Sequence, residues 1–141
     1  MRGPATLLLA ATVLPAEVEA AAKAILPGLT HPNAYVRGAS AEALGRLGYK
    51  AAAHGIVPLV EQTDSVVHVL GGFTALDGQP GQVELLLAGG RTLDAVALNA
   101  LRGATKHAFD FKGGVTAASR DELVTRAKTW YAAQKAKLPT P

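Results

Sequence analysis

Cysteine is missing from this 141-residue chain, which removes a disulfide framework, a thiolate zinc site and a cysteine nucleophile together. Histidine is then the only common soft ligand left. His31, His54, His68 and His107 stand 23, 14 and 39 residues apart, never at the spacing that aligns two ligands on one helix. The chain also lacks a G-x-x-x-x-G-K phosphate loop and a G-x-G-x-x-G turn. Ser40 and Ser119 have no His–Asp arrangement beside them in sequence. The carboxylate pairs Glu17/Glu19 and Asp121/Glu122 are accounted for as charges in the first turn of a helix. No metal, cofactor or catalytic residue is expected, and the chain reads as a non-enzyme.

Aromatic residues are few as well: one tryptophan, three tyrosines and three phenylalanines, in a chain that is 49% hydrophobic and rich in alanine. Alanine gives up little entropy on becoming helical, so this composition favours closely packed helices over a β-sandwich. The length is that of one domain able to bury a core. The net charge of +3 conceals an asymmetry. Residues 1–100 carry six Lys/Arg against eight Asp/Glu, and residues 101–141 carry eight against three. Basic character therefore belongs to the C-terminal end.

The chain repeats itself. Sliding it by 31 positions lays Ile25-Leu26-Pro27 on Ile56-Val57-Pro58, Asn33 on Asp64, and Val36 on Val67. A further shift of 30 brings Asp94 under Asp64, Val96 under Val66, and Leu86-Leu87 under Ile56-Val57. Each copy reads as an apolar helix end, a short polar turn with Asx, and an apolar helix start. Asn33, Asp64 and Asp94 stand where a side-chain oxygen caps the next helix. Pro32 helps end the helix before it, and Gly48 reads as a left-handed C-cap. The spacing predicts helices near 5–14, 17–29, 33–47, 51–62, 65–76, 82–88, 92–106 and 119–137. A helix pair of this size cannot bury its own apolar face, but stacked neighbours can.

The stretch from His31 to Gly48 (His-Pro-Asn-Ala-Tyr-Val-Arg-Gly-Ala-Ser-Ala-Glu-Ala-Leu-Gly-Arg-Leu-Gly) resembles the first helix of a HEAT repeat of the short, roughly 30-residue kind, and residues 51–62 resemble its second. Such repeats occur in phycobilisome-lyase-like proteins and in many bacterial scaffolds. The resemblance is most specific over 31–62, looser over 5–30 and 64–106, and ends by about residue 115. It implies an all-α fold: an α-solenoid, a right-handed superhelix of antiparallel helix pairs whose second helices line a concave, protein-binding surface. In this chain about three pairs would fill residues 1–106. His68 stands where Arg37 stood, and Ala97 follows Val96 where an arginine is expected, so an Asp–Arg ladder between repeats is expected only at the first copy.

Met1-Arg2, the apolar run 7–14 and Pro15-Ala16 also have the form of a secretory signal. The same segment keeps the 31-residue register, with Val13 on Leu44 and Ala20-Ala21-Ala22 on Ala51-Ala52-Ala53. A cleaved leader needs no register, so the register favours a helix and a cytoplasmic chain; with residues 1–20 as a leader the protein is exported. No other segment is long enough to span a membrane.

Residues 107–141 read as a connector and a C-terminal capping helix. Ser119-Arg-Asp-Glu122 has the form of a capping box. Leu123, Val124, Ala127, Trp130, Tyr131 and Leu138 then fall on one apolar stripe. Trp130 is expected as an anchor into the last repeat, with ligand stacking as the alternative. Phe109 and Phe111 alternate about Asp110, as in a packed connector or a binding loop. Gly71-Gly72, inside a predicted helix, reads either as a close helix–helix approach or as a soft point in the stack.

Two binding surfaces follow. The groove of the second helices would present Glu19, Lys23, His54, Glu61 and Glu84 to a protein partner, making the chain an interaction or scaffolding module. Alternatively, Arg120, Arg126, Lys128, Lys135 and Lys137 would form a basic face for nucleic acid or another polyanion.

Overall fold

The 31-residue register recurs in the backbone. A computed structural model describes residues 15–66, 68–74, 80–85, 92–110, 115–116 and 118–141, and helix dominates them. Helix α1 (Ala16–Ile25) runs into a 3-10 turn, Leu26–Thr30, ending at an extended His31 whose N–H donates to the Gly28 carbonyl at 3.2 Å. One repeat later, α2 having intervened (Ala34–Leu47), α3 (Ala53–Ile56) runs into the 3-10 turn Val57–Glu61. That turn ends at an extended Gln62 whose N–H donates to Leu59 at 3.1 Å. Pro27 and Pro58 occupy the same place in the two turns. A proline has no N–H to give an α ladder and its ring crowds the preceding turn, so both helices tighten where the sequence repeats. The continuous helix expected over 51–62 is consequently three short pieces, beginning with the 3-10 turn Lys50–Ala52. The helix expected at 5–14 lies outside the described residues.

Helix α2 is bounded as its sequence dictates. Asn33 is extended and its Oδ1 accepts the Tyr35 N–H at 2.8 Å; Gly48 closes the other end in the left-handed region, at φ 68°. The Tyr49 N–H reaches back to Leu44 at 3.2 Å, completing a Schellman turn that a side chain at position 48 would strain. The helix packs on α4 (Leu93–Thr105), and glycine decides how closely. A Cβ on Gly45 would lie 2.8 Å from Ala100 Cα, and one on Gly103 2.7 Å from the Gly45 carbonyl oxygen. The backbones themselves meet there.

Between these helices two of the expected helices need correction, although the described residues remain mostly helical. In place of helices at 65–76 and 82–88 the chain forms an antiparallel hairpin, β1 (His68–Thr74) with β2 (Pro80–Leu85). The register pairs His68 with Leu85, Leu70 with Val83 and Thr74 with Pro80, with an irregularity between Leu70 and Phe73. Gly71-Gly72 sits at this bulge, so the pair marks a kinked strand and not a helix contact. The hairpin leaves and rejoins the helices at one point. Ser65 bridges Thr92, and the Leu93 N–H donates to the Asp64 carbonyl at 2.9 Å. Asp64 therefore precedes no helix of its own in sequence, and hands the chain through space to α4.

Asp94 does not cap either: α4 starts after Thr92, whose side chain makes no cap hydrogen bond. At the far end, Lys106 takes φ 56°, and Phe109 and Asp110 both take φ 55°. This left-handed turn, not an extended alternation, buries Phe109 and exposes Asp110; Phe111 lies outside the described residues. Helix α5 (Arg120–Gln134) follows. Its reciprocal cap sits one turn earlier than Ser119/Glu122: the Thr116 N–H donates to Ser119 Oγ at 3.0 Å, and the Ser119 N–H donates to Thr116 Oγ1 at 3.2 Å. Leu123, Val124, Ala127 and Leu138 are buried, and Trp130 and Tyr131 pack partly buried against the same core as Ala22, Leu44, Ile56 and Leu101. One continuous core thus includes the C-terminal helix.

Candidate functional site: the second-helix face and its covering helix

The five groove candidates divide among three places. Glu19 and Lys23 are half-exposed on α1 and pair with each other at 3.6 Å. Glu84 lies on β2, opposite Val69. Only His54, on α3, and Glu61, at the end of the 3-10 turn behind it, share a surface, and α5 lies across it.

His54 uses both ring nitrogens in this contact. Nε2 is 3.1 Å from the Pro139 carbonyl oxygen, which can only accept, so Nε2 carries a proton. Nδ1 is 2.8 Å from the Tyr131 hydroxyl and, in the neutral ring, accepts from it. The Tyr131 ring meets the imidazole edge-on at 5.7 Å. One turn earlier on α5, Lys128 Nζ donates to Glu61 Oε1 at 2.9 Å, with both side chains more than half exposed.

The basic residues of the alternative face are largely engaged within the chain. Arg120 Nε donates to Asp94 Oδ2, and its Nη1 to Asp121 at 2.7 Å. The Asp94 hydrogen bond, then that of Asp121, holds the Arg120 guanidinium above its usual range. Arg126 pairs with Glu122 at 2.7 Å and donates to the carbonyls of Phe109 and Asp110 at 3.2 and 3.3 Å. Lys135 stands 6.0 Å from the centroid of the Tyr131 ring, and Lys137 is exposed. Trp130 stacks at a tilt on His107, 5.2 Å between centroids, and meets Phe109 edge-on at 5.5 Å, an anchoring contact.

Of the expected Asp–Arg ladder, the first rung is formed: Arg37 Nη2 reaches Asp64 Oδ2 at 3.3 Å, and its Nη1 donates to the carbonyls of His31 and Pro32. The next carboxylate, Asp94, finds its arginine on α5. Two features are missing from the expectations drawn from sequence. Tyr131 and Pro139 are partners of His54 only through the fold. A groove of about 350 Å³ between α2 and α4, lined by Glu42, Arg46, Val96 and Asn99, arises from the glycine crossing beneath it. Spacing alone offered a signal for it, since Val96, Asn99, Ala100 and Gly103 fall on one helical stripe. Among the described residues no cluster of three or more His, Asp or Glu is arranged to hold a metal, and no helix is long and apolar enough to cross a membrane.

No family model matches the chain, and neither does any curated protein or solved structure.

Proposed function

We propose that the chain is a protein-interaction module built from short HEAT-like repeats in a right-handed solenoid, with α1 and its 3-10 turn, then α2 with the pieces over 50–61, as successive units. The observation that carries this reading is the recurrence, at 31 residues, of a helix ending in a proline-tightened 3-10 turn, tied onward by Arg37 to Asp64. Stacked units of this kind present broad side-chain surfaces whose value lies in shape, and binding is what such surfaces do. The hairpin is then an insertion between units, entering and leaving at the Asp64–Leu93 contact.

Capture of the full-length chain without cross-linking, with and without nuclease treatment, tests the reading. A stoichiometric protein partner retained at about 1 M salt, where the Debye length falls to about 3 Å, is the expected result. Recovery of nucleic acid alone, lost at that salt, would replace it with the polyanion reading.

A further inference from the structure

Helix α5 is attached unevenly. At its start the Asp94–Arg120 pair is shielded, the carboxylate side chain being 5% exposed and the guanidinium 29%. Arg126 adds two carbonyl contacts on the connector. Beyond them the attachment thins. Lys128 and Glu61 are 52% and 59% exposed, and water screens a pair of that kind until it contributes little. The buried side chains of α5 itself, Leu123, Val124 and Ala127, all precede Lys128. What remains beyond is the Tyr131–His54–Pro139 chain of hydrogen bonds, the partly buried Trp130 and Tyr131 rings, and Leu138.

We propose that residues 128–139 are a latch: a segment of the chain that occupies, in cis, a receptor surface for the end of a basic, tyrosine-bearing helix, and that swings away while the Asp94–Arg120 end holds. The proposal rests on the reading of the chain as a binding module and names the regulation of its second-helix face. The chemistry of the occupant is written in the contacts. A cation meets the Glu61 carboxylate, an aromatic hydroxyl one helical turn later meets the imidazole, and an apolar residue closes the far edge. A partner helix presenting Lys and Tyr three residues apart meets Glu61 and His54 Nδ1, and a carbonyl beyond its C-terminal end replaces that of Pro139 at Nε2. Its affinity is reduced by the fraction of time the latch is shut. Local opening of this kind draws on the least buried end of an element, the end described here.

Hydrogen exchange on the unmodified chain gives the first test. Amides of residues 128–138 are expected to exchange at least about tenfold faster than those of α2 and α4, by an opening that leaves the helical body intact. Equal protection in all three segments overturns the latch. The second test uses a fluorescein-labelled synthetic peptide of residues 116–141 against full-length chains. Lys128→Glu/Tyr131→Phe is expected to bind the peptide at least about tenfold more tightly than wild type, and adding Glu61→Lys to reverse that gain. A Lys128→Glu peptide should recover binding to the Glu61→Lys chain. Unchanged affinity across a set of chains that retain wild-type circular dichroism overturns the receptor, whatever the capture finds. A capture that yields no protein partner sinks the module reading and leaves the peptide result standing by itself.

Discussion

Asp94 and Arg120, 26 residues apart, join the first turn of α4 to the first turn of α5. Asp94 Oδ1 also accepts the Ala95 N–H at 2.9 Å, so the carboxylate is satisfied from both sides while buried. Removing the guanidinium strands that charge.

Arg120→Ala is therefore expected to cost about 3 kcal/mol in equilibrium denaturation, because an uncompensated buried carboxylate remains. Asp94→Leu/Arg120→Leu, which removes both charges, should cost less than the single change. A double replacement as damaging as Arg120→Ala would show that the pair itself, and not the stranded charge, sets the penalty.

The crossing of α2 and α4 has no room for a methyl group at Gly45 or Gly103, where the nearest atoms belong to backbone. Gly45→Ala and Gly103→Ala should each destabilise by about 1–3 kcal/mol despite the higher helix propensity of alanine. Thermal melts that rise on either substitution would contradict the close approach.

The cap of α5 is placed at Thr116 and Ser119. Thr116→Ala is expected to cost about 1 kcal/mol, and Glu122→Ala only a few tenths, since Glu122 makes an i,i+4 pair with Arg126. Urea midpoints for the two variants decide between the observed cap and the Ser119/Glu122 box suggested by sequence.

Polyanion binding through α5 should be feeble. With Arg120, Arg126 and Lys128 engaged, Lys135 and Lys137 are what this face offers a phosphate backbone. The slope of log K against log salt for duplex DNA should then be no steeper than about −2. A slope near −5 would mean that all five basic residues reach phosphate.

The elements that sequence located correctly are those fixed by a few neighbouring residues. Asn33 caps because its side-chain oxygen reaches the N–H two residues on, and Gly48 ends α2 because it alone among its neighbours enters the left-handed region without strain. The stripe from Leu123 to Tyr131 was legible for a similar reason, its period being set by the helix it forms, while Leu138 returns to the core beyond the end of α5 at Gln134. The segment 65–88 was misread because its apolar residues and two glycines suit either a helix or a bulged strand. The choice rests on a partner strand twelve residues away and not on local preference.

His54 and Glu61 lie on consecutive short elements and face the same stretch of the C-terminal segment. Nothing in their spacing announces that Lys128, Tyr131 and Pro139 cover them, at separations of 67, 77 and 85 residues. Sequence by itself determined the 31-residue unit, its proline-tightened turns and the apolar stripe of the last helix, because these follow from backbone dihedrals and missing donors. Tertiary structure alone decided that a hairpin separates α3 from α4, that Asp94 takes its arginine from α5, and that His54 and Glu61 are covered by the chain's own C-terminus. Each of those is a pairing between distant residues, and only the folded chain brings their atoms within reach.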